Sequence, residues 1–234
     1  MEENVPVRAS VIIPAGGSGT RFGASLPKQF LTLCDVPILV RTLRVFEETA
    51  CIEHIVIAAS ADFHEHIRAL CKEYHITKCT EIVPGGTERQ YSIRNALNTA
   101  SIRGSDVVLV HDAVRPFITP TFITEIAQAA LERGSAVPGL VPKDTIKEVH
   151  PDGSVSSTPE RSRLRAIQTP QGFRREELIS AYARADEKKF LGTDDASVLE
   201  FAGATVYIVE GLEQNIKITT PLDFSFAELL LKKG

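Results

Sequence analysis

Along the first half of the chain, short β-branched runs alternate with longer stretches of helical period. SVIIPA (10–15) precedes PILVRTLRVFEET (37–49), HIVIAAS (54–60) precedes ADFHEHIRALCKEY (61–74), and CTEIVPG (79–85) precedes TERQYSIRNALNTA (87–100). Strand-like runs that take turns with helical segments predict βαβ units and a mainly parallel sheet. In the first helical segment Leu39, Leu43 and Phe46, flanked by Ile38, Thr42 and Val45, form a core-facing stripe, which leaves Arg41, Arg44, Glu47 and Glu48 mostly towards solvent.

The second half continues the pattern with more interruptions. DVVLVHDAVRPF carries a buried strand, Val107 to Val110, and FITEIAQAALERG a helix closed by Gly134. SAVPGLV, ATVYIVEG and NIKITT read as further strands, and PLDFSFAELLLKK as a last helix with proline at its entrance and lysines at its end. Lys143 to Leu164 departs from the pattern: it is poor in large apolar residues, and Asp152-Gly153 marks a hairpin turn. The reading is one α/β domain over 1–234, a Rossmann-like twisted sheet flanked by helices, with 142–164 projecting as a β-hairpin arm.

Composition narrows the function classes. With 234 residues, 43% of them hydrophobic, the chain can bury a substantial core. A formal charge of -4 argues against a general nucleic-acid or anionic-membrane binder, so a phosphorylated ligand needs local cations. No signal-like leader and no long apolar span is visible, and Cys34, Cys51, Cys71 and Cys79 lack metal or disulfide-scaffold spacing. A cytoplasmic protein with free thiols is expected.

Candidate chemistry centres on PAGGSGTRFGASLPKQF, residues 14–30. No register of it fits the Walker P-loop, and Phe22 stands where a dinucleotide fingerprint needs its third glycine. What remains is a glycine loop whose backbone N–H groups can approach phosphate oxygens, with Arg21 and Lys28 adding charge. His64 and His66 lie two apart on a helical segment and so do not share a face, which disfavours a metal reading. HDAVRPF sets His111 and Asp112 at the carboxyl end of a strand, where open α/β sheets bind ligands. Thr87, in a second strand-to-helix loop, is placed to cap the helix that follows.

PAGGSGTRFG with LPKQFL resembles the signature of the nucleotidylyltransferases, most closely the 2-C-methyl-D-erythritol 4-phosphate cytidylyltransferase family. GGTERQYSIRNAL, HDAVRPF, TPQGF, TDDAS and EGLEQNIKITTPLD follow in family order, so the similarity spans essentially the whole chain. The resemblance implies transfer of CMP from CTP to a polyol phosphate, with Mg²⁺ held mainly by the CTP phosphates rather than by protein. It implies Arg21 and Lys28 as transition-state stabilisers, and Arg161 and Lys217 as the residues that position the acceptor phosphate. Ala15, Gly16, Gly17, Gly19, Gly86, Thr87, Ser92, Asp112 and Ala113 would surround CTP, and Arg115, Thr145, Arg161, Thr169 and Lys217 the acceptor. It further implies a homodimer in which each arm serves the partner's site.

Many relatives carry PAAGSG where this chain has PAGGSG, so Gly16 is a departure beside the nucleotide. Three other readings stand beside this one. Ribitol-5-phosphate cytidylyltransferase shares the loop grammar and differs in acceptor. A nicotinamide-dependent oxidoreductase is disfavoured by the missing third glycine. A nucleotide-binding regulator without chemistry is disfavoured by the joint presence of Arg21, Lys28, Asp112 and Lys217.

Overall fold

The computed structural model describes residues 7–17 and 26–233. In chain order the first strands are β1 (Ala9–Pro14), β2 (Thr32–Leu33), β3 (Val36–Pro37), β4 (Ile52–Ala59), β5 (Cys79–Pro84) and β6 (Val107–Val110). After them come β7 (Ser135–Leu140), β8 (Glu148–Val149), β9 (Val155–Ser157), β10 (Ala166–Ile167), β11 (Gln171–Arg174) and β12 (Ile208–Glu210). The helices are α1 (Ile38–Glu48), α2 (His64–Glu73), α3 (Arg89–Leu97), α4 (Ala100–Arg103), α5 (Pro120–Arg133), α6 (Arg175–Glu187), α7 (Asp195–Phe201) and α8 (Pro221–Lys233).

The main sheet runs β10-β7-β11-β6-β1-β4-β5, with β12 beside β7. β5, β4, β1 and β6 are mutually parallel, β11 is antiparallel to both β6 and β7, and β12 is parallel to β7. The sheet is therefore mostly parallel, with β11 and β10 running against the rest.

Both faces of the sheet are covered, and the two-residue period of the strands sorts their side chains between them. Val11 and Ile13 of β1, Ile55 and Ile57 of β4, and Leu109 of β6 join one core with Leu39, Leu43 and Phe46 of α1, Ile67 of α2 and Ile123 of α5. Ile12, Val56, Val108 and Val110 enter the other, against Ile93 of α3, Leu178 of α6 and Leu199 of α7. Each such fully buried aliphatic side chain is worth roughly 1.5–3 kcal/mol over its exposed state. That alternate burial explains why the central strands read as unbroken apolar runs. The mixed α/β expectation is met.

Helix boundaries follow local chemistry. Thr119 Oγ1 accepts from Phe122 N at 3.2 Å, Pro120 fills the first turn of α5, and Gly134 ends it at φ +92°. That left-handed position is one that glycine adopts without a Cβ penalty.

Four expectations need correction. Asn215–Thr220 is not a strand: its alternating isoleucines instead pack a loop, with Ile218 buried against Leu33, Ile38, Val114 and Ala227 and its N–H bonded to Val114 O. Of ATVYIVEG, only Ile208–Glu210 pairs as a strand. Arg41, Arg44 and Glu47 are half-buried rather than mostly solvent-facing. Arg41 donates to the carbonyls of Leu33 and Cys34, and Glu47 accepts from Lys78 N, because the flank of α1 faces neighbouring loops. Thr87 does not cap α3: Glu88 holds the N-cap position, and Ser92 Oγ reaches back to accept from Gly86 N and donate to Glu88 O.

Residues 143–156 are all exposed, and β8 and β9, which reaches Ser157, pair antiparallel. The turn is closed by His150 N to Ser154 O and Gly153 N to His150 O, with Gly153 at φ +85°. Val149 and Val155 are 61% and 57% exposed, so the hairpin does not pack into its own chain's core.

Candidate active site

The carboxyl ends of β1 and β6, with the segments that follow β1, β5 and β6, surround a cavity of about 250 Å³. Pro14 to Gly17 supply backbone from the first glycine loop, and Gly86 to Arg89 the second loop and the start of α3. Lys28, Gln29, Ser92, Asp112, Ala113, Val114 and Lys217 complete the wall. Open parallel sheets place ligands at this edge because the strand-to-helix loops converge there.

The first loop is fixed from below by Gln29, which is buried and donates through Nε2 to Ala15 O at 2.6 Å and Gly17 O at 3.4 Å. With those carbonyls held by Gln29, the short turn Lys28–Phe30 ties Lys28 to the loop it accompanies. The second loop is drawn tight at Gly86, where a Cβ would stand 2.4 Å from Tyr91 Cβ, so glycine is required. At Gly16, by contrast, a Cβ would meet only Ser92 Oγ at 4.0 Å.

Asp112 is the electrostatic hub. Its Oδ2 faces Lys217 Nζ at 2.8 Å and Arg115 Nε at 3.4 Å, and its Oδ1 faces Arg89 Nε at 3.7 Å. Burial pushes the carboxyl's pKa up, but Arg89, Lys217 and Arg115 together outweigh that and hold it well below the usual carboxylate range. Asp112 is thus ionised and saturated with cations, which makes it an organiser of positive charge rather than a proton acceptor.

Beneath it, His111 is fully buried and pushed down to about 4, chiefly by desolvation. A neutral imidazole suits its partners: Thr169 Oγ1 accepts from Asp112 N at 3.0 Å and donates to His111 Nδ1 at 3.1 Å. His111 Nε2 in turn donates to Arg115 O at 3.0 Å. Arg115 Nη1 donates to Asn215 O at 2.8 Å, which fastens the loop bearing Lys217 to the HDAVR turn.

The cavity therefore gathers Ala15, Gly16, Gly17, Lys28, Gly86, Thr87, Ser92, Asp112, Ala113 and Lys217. Arg115 and Thr169 are buried supports one layer below. Thr145 and Arg161 meet each other on the exposed arm, Arg161 Nη2 donating to Thr145 Oγ1 at 3.3 Å, and neither is among the described residues lining the cavity. Gly19 and Arg21 lie outside the described residues. Sequence reasoning missed Gln29 and Arg89. The signal for Arg89 was present in GGTER, a cation set directly after a glycine loop at a helix entrance. His64 Nε2 bonds the Ala59 carbonyl and His66 packs on Phe30, so the two rings have separate tasks.

Known proteins resemble the chain throughout its length. The family model described as IspD, 2-C-methyl-D-erythritol 4-phosphate cytidylyltransferase, matches residues 9–233. A 2-C-methyl-D-erythritol 4-phosphate cytidylyltransferase from Symbiobacterium thermophilum is 48% identical over 98% of this chain and 94% of its own. The crystal structure of 4-diphosphocytidyl-2C-methyl-D-erythritol synthase from Anaerococcus prevotii superimposes with a TM-score of 0.84 at 29% identity, covering 97% of each chain. That of the cytidylyltransferase from Thermus thermophilus does so with a TM-score of 0.78 at 30% identity, covering 96% of this chain and 99% of that one. With a glycine loop, a second loop closed at Gly86 and a cation cluster around Asp112 in one cavity, the chain belongs to the 2-C-methyl-D-erythritol 4-phosphate cytidylyltransferase family.

Proposed function

We propose that this cavity seats CTP and that the family's reaction runs here through the residues on its wall. The phosphate of 2-C-methyl-D-erythritol 4-phosphate attacks the α-phosphorus of CTP, giving 4-diphosphocytidyl-2-C-methyl-D-erythritol and pyrophosphate, a step in non-mevalonate isoprenoid precursor synthesis. The observation that carries this reading is the convergence of Lys28, Arg89 and Lys217 on a cavity otherwise lined by glycine-loop backbone. A phosphate monoester has its second pKa at about 6, so the nucleophile is already largely dianionic and needs no general base. In-line alignment and neutralisation of the charge on the transferring group then carry the catalysis.

In this reading Lys28, with Arg21 from outside the described residues, stabilises the charge that develops on the α-phosphate. Ala15, Gly16, Gly17, Gly19, Gly86, Thr87, Ser92, Asp112 and Ala113 enclose the nucleotide. Lys217, oriented by Asp112, aligns the acceptor phosphate, while Arg115 and Thr169 hold the wall behind it. Arg161 and Thr145 complete the acceptor site from the arm. The arm's exposed position supports a homodimer in which they act on the partner's cavity.

The residues present suit a Mg²⁺ that arrives with the nucleotide. Both oxygens of Asp112 are occupied by cations, and among the described residues no three His, Cys, Asp or Glu side chains converge. Phosphate oxygens and water are the hard ligands that Mg²⁺ prefers, and there it would offset charge on the triphosphate.

The test is pyrophosphate release by purified protein with CTP, Mg²⁺ and either methylerythritol phosphate or ribitol 5-phosphate. Release with the first acceptor and not the second is expected; the reverse preference would assign the chain to ribitol phosphate instead.

A further inference from the structure

The motif TDDAS places two adjacent aspartates at the start of α7, and they do different work. Asp194 caps the helix: its Oδ1 accepts from Ser197 N at 2.9 Å, and Ser197 Oγ answers to Asp194 N. Asp195 has no part in the cap, and it is fully buried. Its carboxylate accepts from Tyr182 Oη at 2.6 Å through Oδ1 and from Arg89 Nη1 at 2.8 Å through Oδ2.

A buried ion pair is not by itself a gain in stability, since desolvation offsets much of its attraction and an apolar pair of similar size does as well. Its use is to be sought in what it orders. Arg89 is the first residue of α3, directly after the Gly86 loop, and its guanidinium reaches the cavity wall between Asp195 and Asp112. The next residue, Gln90, is tied to the same segment: it donates to Phe190 O at 2.9 Å and accepts from Gly192 N at 2.8 Å. The segment leading into α7 is thus a buttress behind the second glycine loop.

We propose that Asp195 is a positioning residue that acts through Arg89. By engaging Nη1, it holds the guanidinium against the nucleotide wall and at 3.7 Å from Asp112, beyond a hydrogen bond, so that Asp112 keeps its Oδ2 for Lys217 and Arg115. Arg89, Arg115 and Lys217 carry three positive charges against the two negative charges of Asp112 and Asp195, so the cluster keeps one positive charge for a polyphosphate. Without the Asp195 charge, Arg89 is drawn to Asp112 and competes there with Lys217, and the nucleotide loses a fixed cation. This deepens the assignment of CTP to the cavity and rests on it; turnover of CTP by the unaltered enzyme tests that assignment separately.

The test is a kinetic double-mutant cycle with Asp195→Asn and Arg89→Gln in the full-length enzyme, with thermal melts alongside. Each single variant is expected to lower kcat/KM for CTP by about 10-fold or more, and the double variant by no more than the worse single one, as for residues acting as a unit. Additive losses would overturn the proposal, as would unchanged CTP kinetics in folded Asp195→Asn. If Asp195→Asn does not fold, Tyr182→Phe replaces it, since it removes one donor to Asp195 and keeps every charge. A rise in KM for CTP of about 3-fold or more with folding intact supports the role, and an unchanged KM overturns it.

Discussion

His111 ties the electrostatics of the site to its geometry. The imidazole is buried, packs edge-on against Phe46, and accepts from Thr169 through the nitrogen that a proton would occupy. Its pKa is about 4 in the folded protein against about 6.5 in an unfolded chain, so the unfolded state binds the extra proton first as pH falls. Stability from the neutral ring is complete above about pH 6.5 and is lost as pH drops towards 4, at up to about 1.4 kcal/mol per pH unit for one proton. The carboxylate of Asp112 is also depressed, so its contribution is lost only at more acid pH, below the ordinary carboxylate range. Melting temperature measured from pH 7 to pH 4 should therefore fall in the wild type, and His111→Gln should flatten that slope while lowering stability at neutral pH. An unchanged slope in the variant would place the acid sensitivity elsewhere. His111 and Asp112 were legible as residues at a strand's carboxyl end, but the charge cluster was not, because Arg89, Asp112 and Lys217 are far apart in sequence and only the closed sheet joins them.

At the scale of elements, the two strand-to-helix loops look alike in sequence and are built differently. Gly86 is pressed against Tyr91 and Ser92, whereas Gly16 has room for a methyl group. Gly86→Ala is expected to lower stability by about 1–3 kcal/mol and raise KM for CTP, because the loop must move to relieve the overlap. Gly16→Ala is expected to keep activity and to add up to about 1 kcal/mol through the unfolded chain, since a Cβ there has room. Thermal melts and CTP kinetics of the two variants separate these outcomes; equal loss in both would mean that the loops share one packing constraint. Elements with a strong period were legible, as α1 and α5 illustrate. NIKITT was not, since an alternating pattern records which side chains are buried and not whether a neighbouring strand is present to pair. Thr87 misled for a related reason: a capping residue type was in place, but the helix begins one residue later, with Glu88 at the N-cap position and no side-chain cap bond at all.

For the whole molecule, the proposed function requires the exposed hairpin, whose Arg161 and Thr145 are not among the described residues lining its own chain's cavity, to reach a cavity elsewhere. If Arg161 serves the neighbouring subunit, Arg161→Ala and Lys28→Ala are each inactive alone but complement each other when mixed. One site of each mixed dimer is then whole, so an equimolar mixture after subunit exchange should recover roughly a quarter of wild-type activity. No recovery, with exchange demonstrated, would place the complete site within one chain. The arm was visible in the sequence because a segment so poor in large apolar residues has nothing to bury. Its target was not, since nothing within the segment's own sequence says which surface it meets.

The reversed direction of β11 governs where that arm can be. β7 ends at the same edge of the sheet as β6, and β11 begins there, its Gln171 level with Val110. Everything between Leu140 and Gln171 thus leaves and re-enters at the rim of the cavity, whereas a parallel strand in that place would have sent the chain to the far side first. The exposed hairpin, which on the proposed function recognises the acceptor, is in effect a cassette whose two ends are held at the mouth of the cavity. A different hairpin grafted in its place should leave the strands around the cavity undisturbed, provided that Ala166–Ile167, which pair with β7, and Thr169, which bonds Asp112 N and His111, are kept.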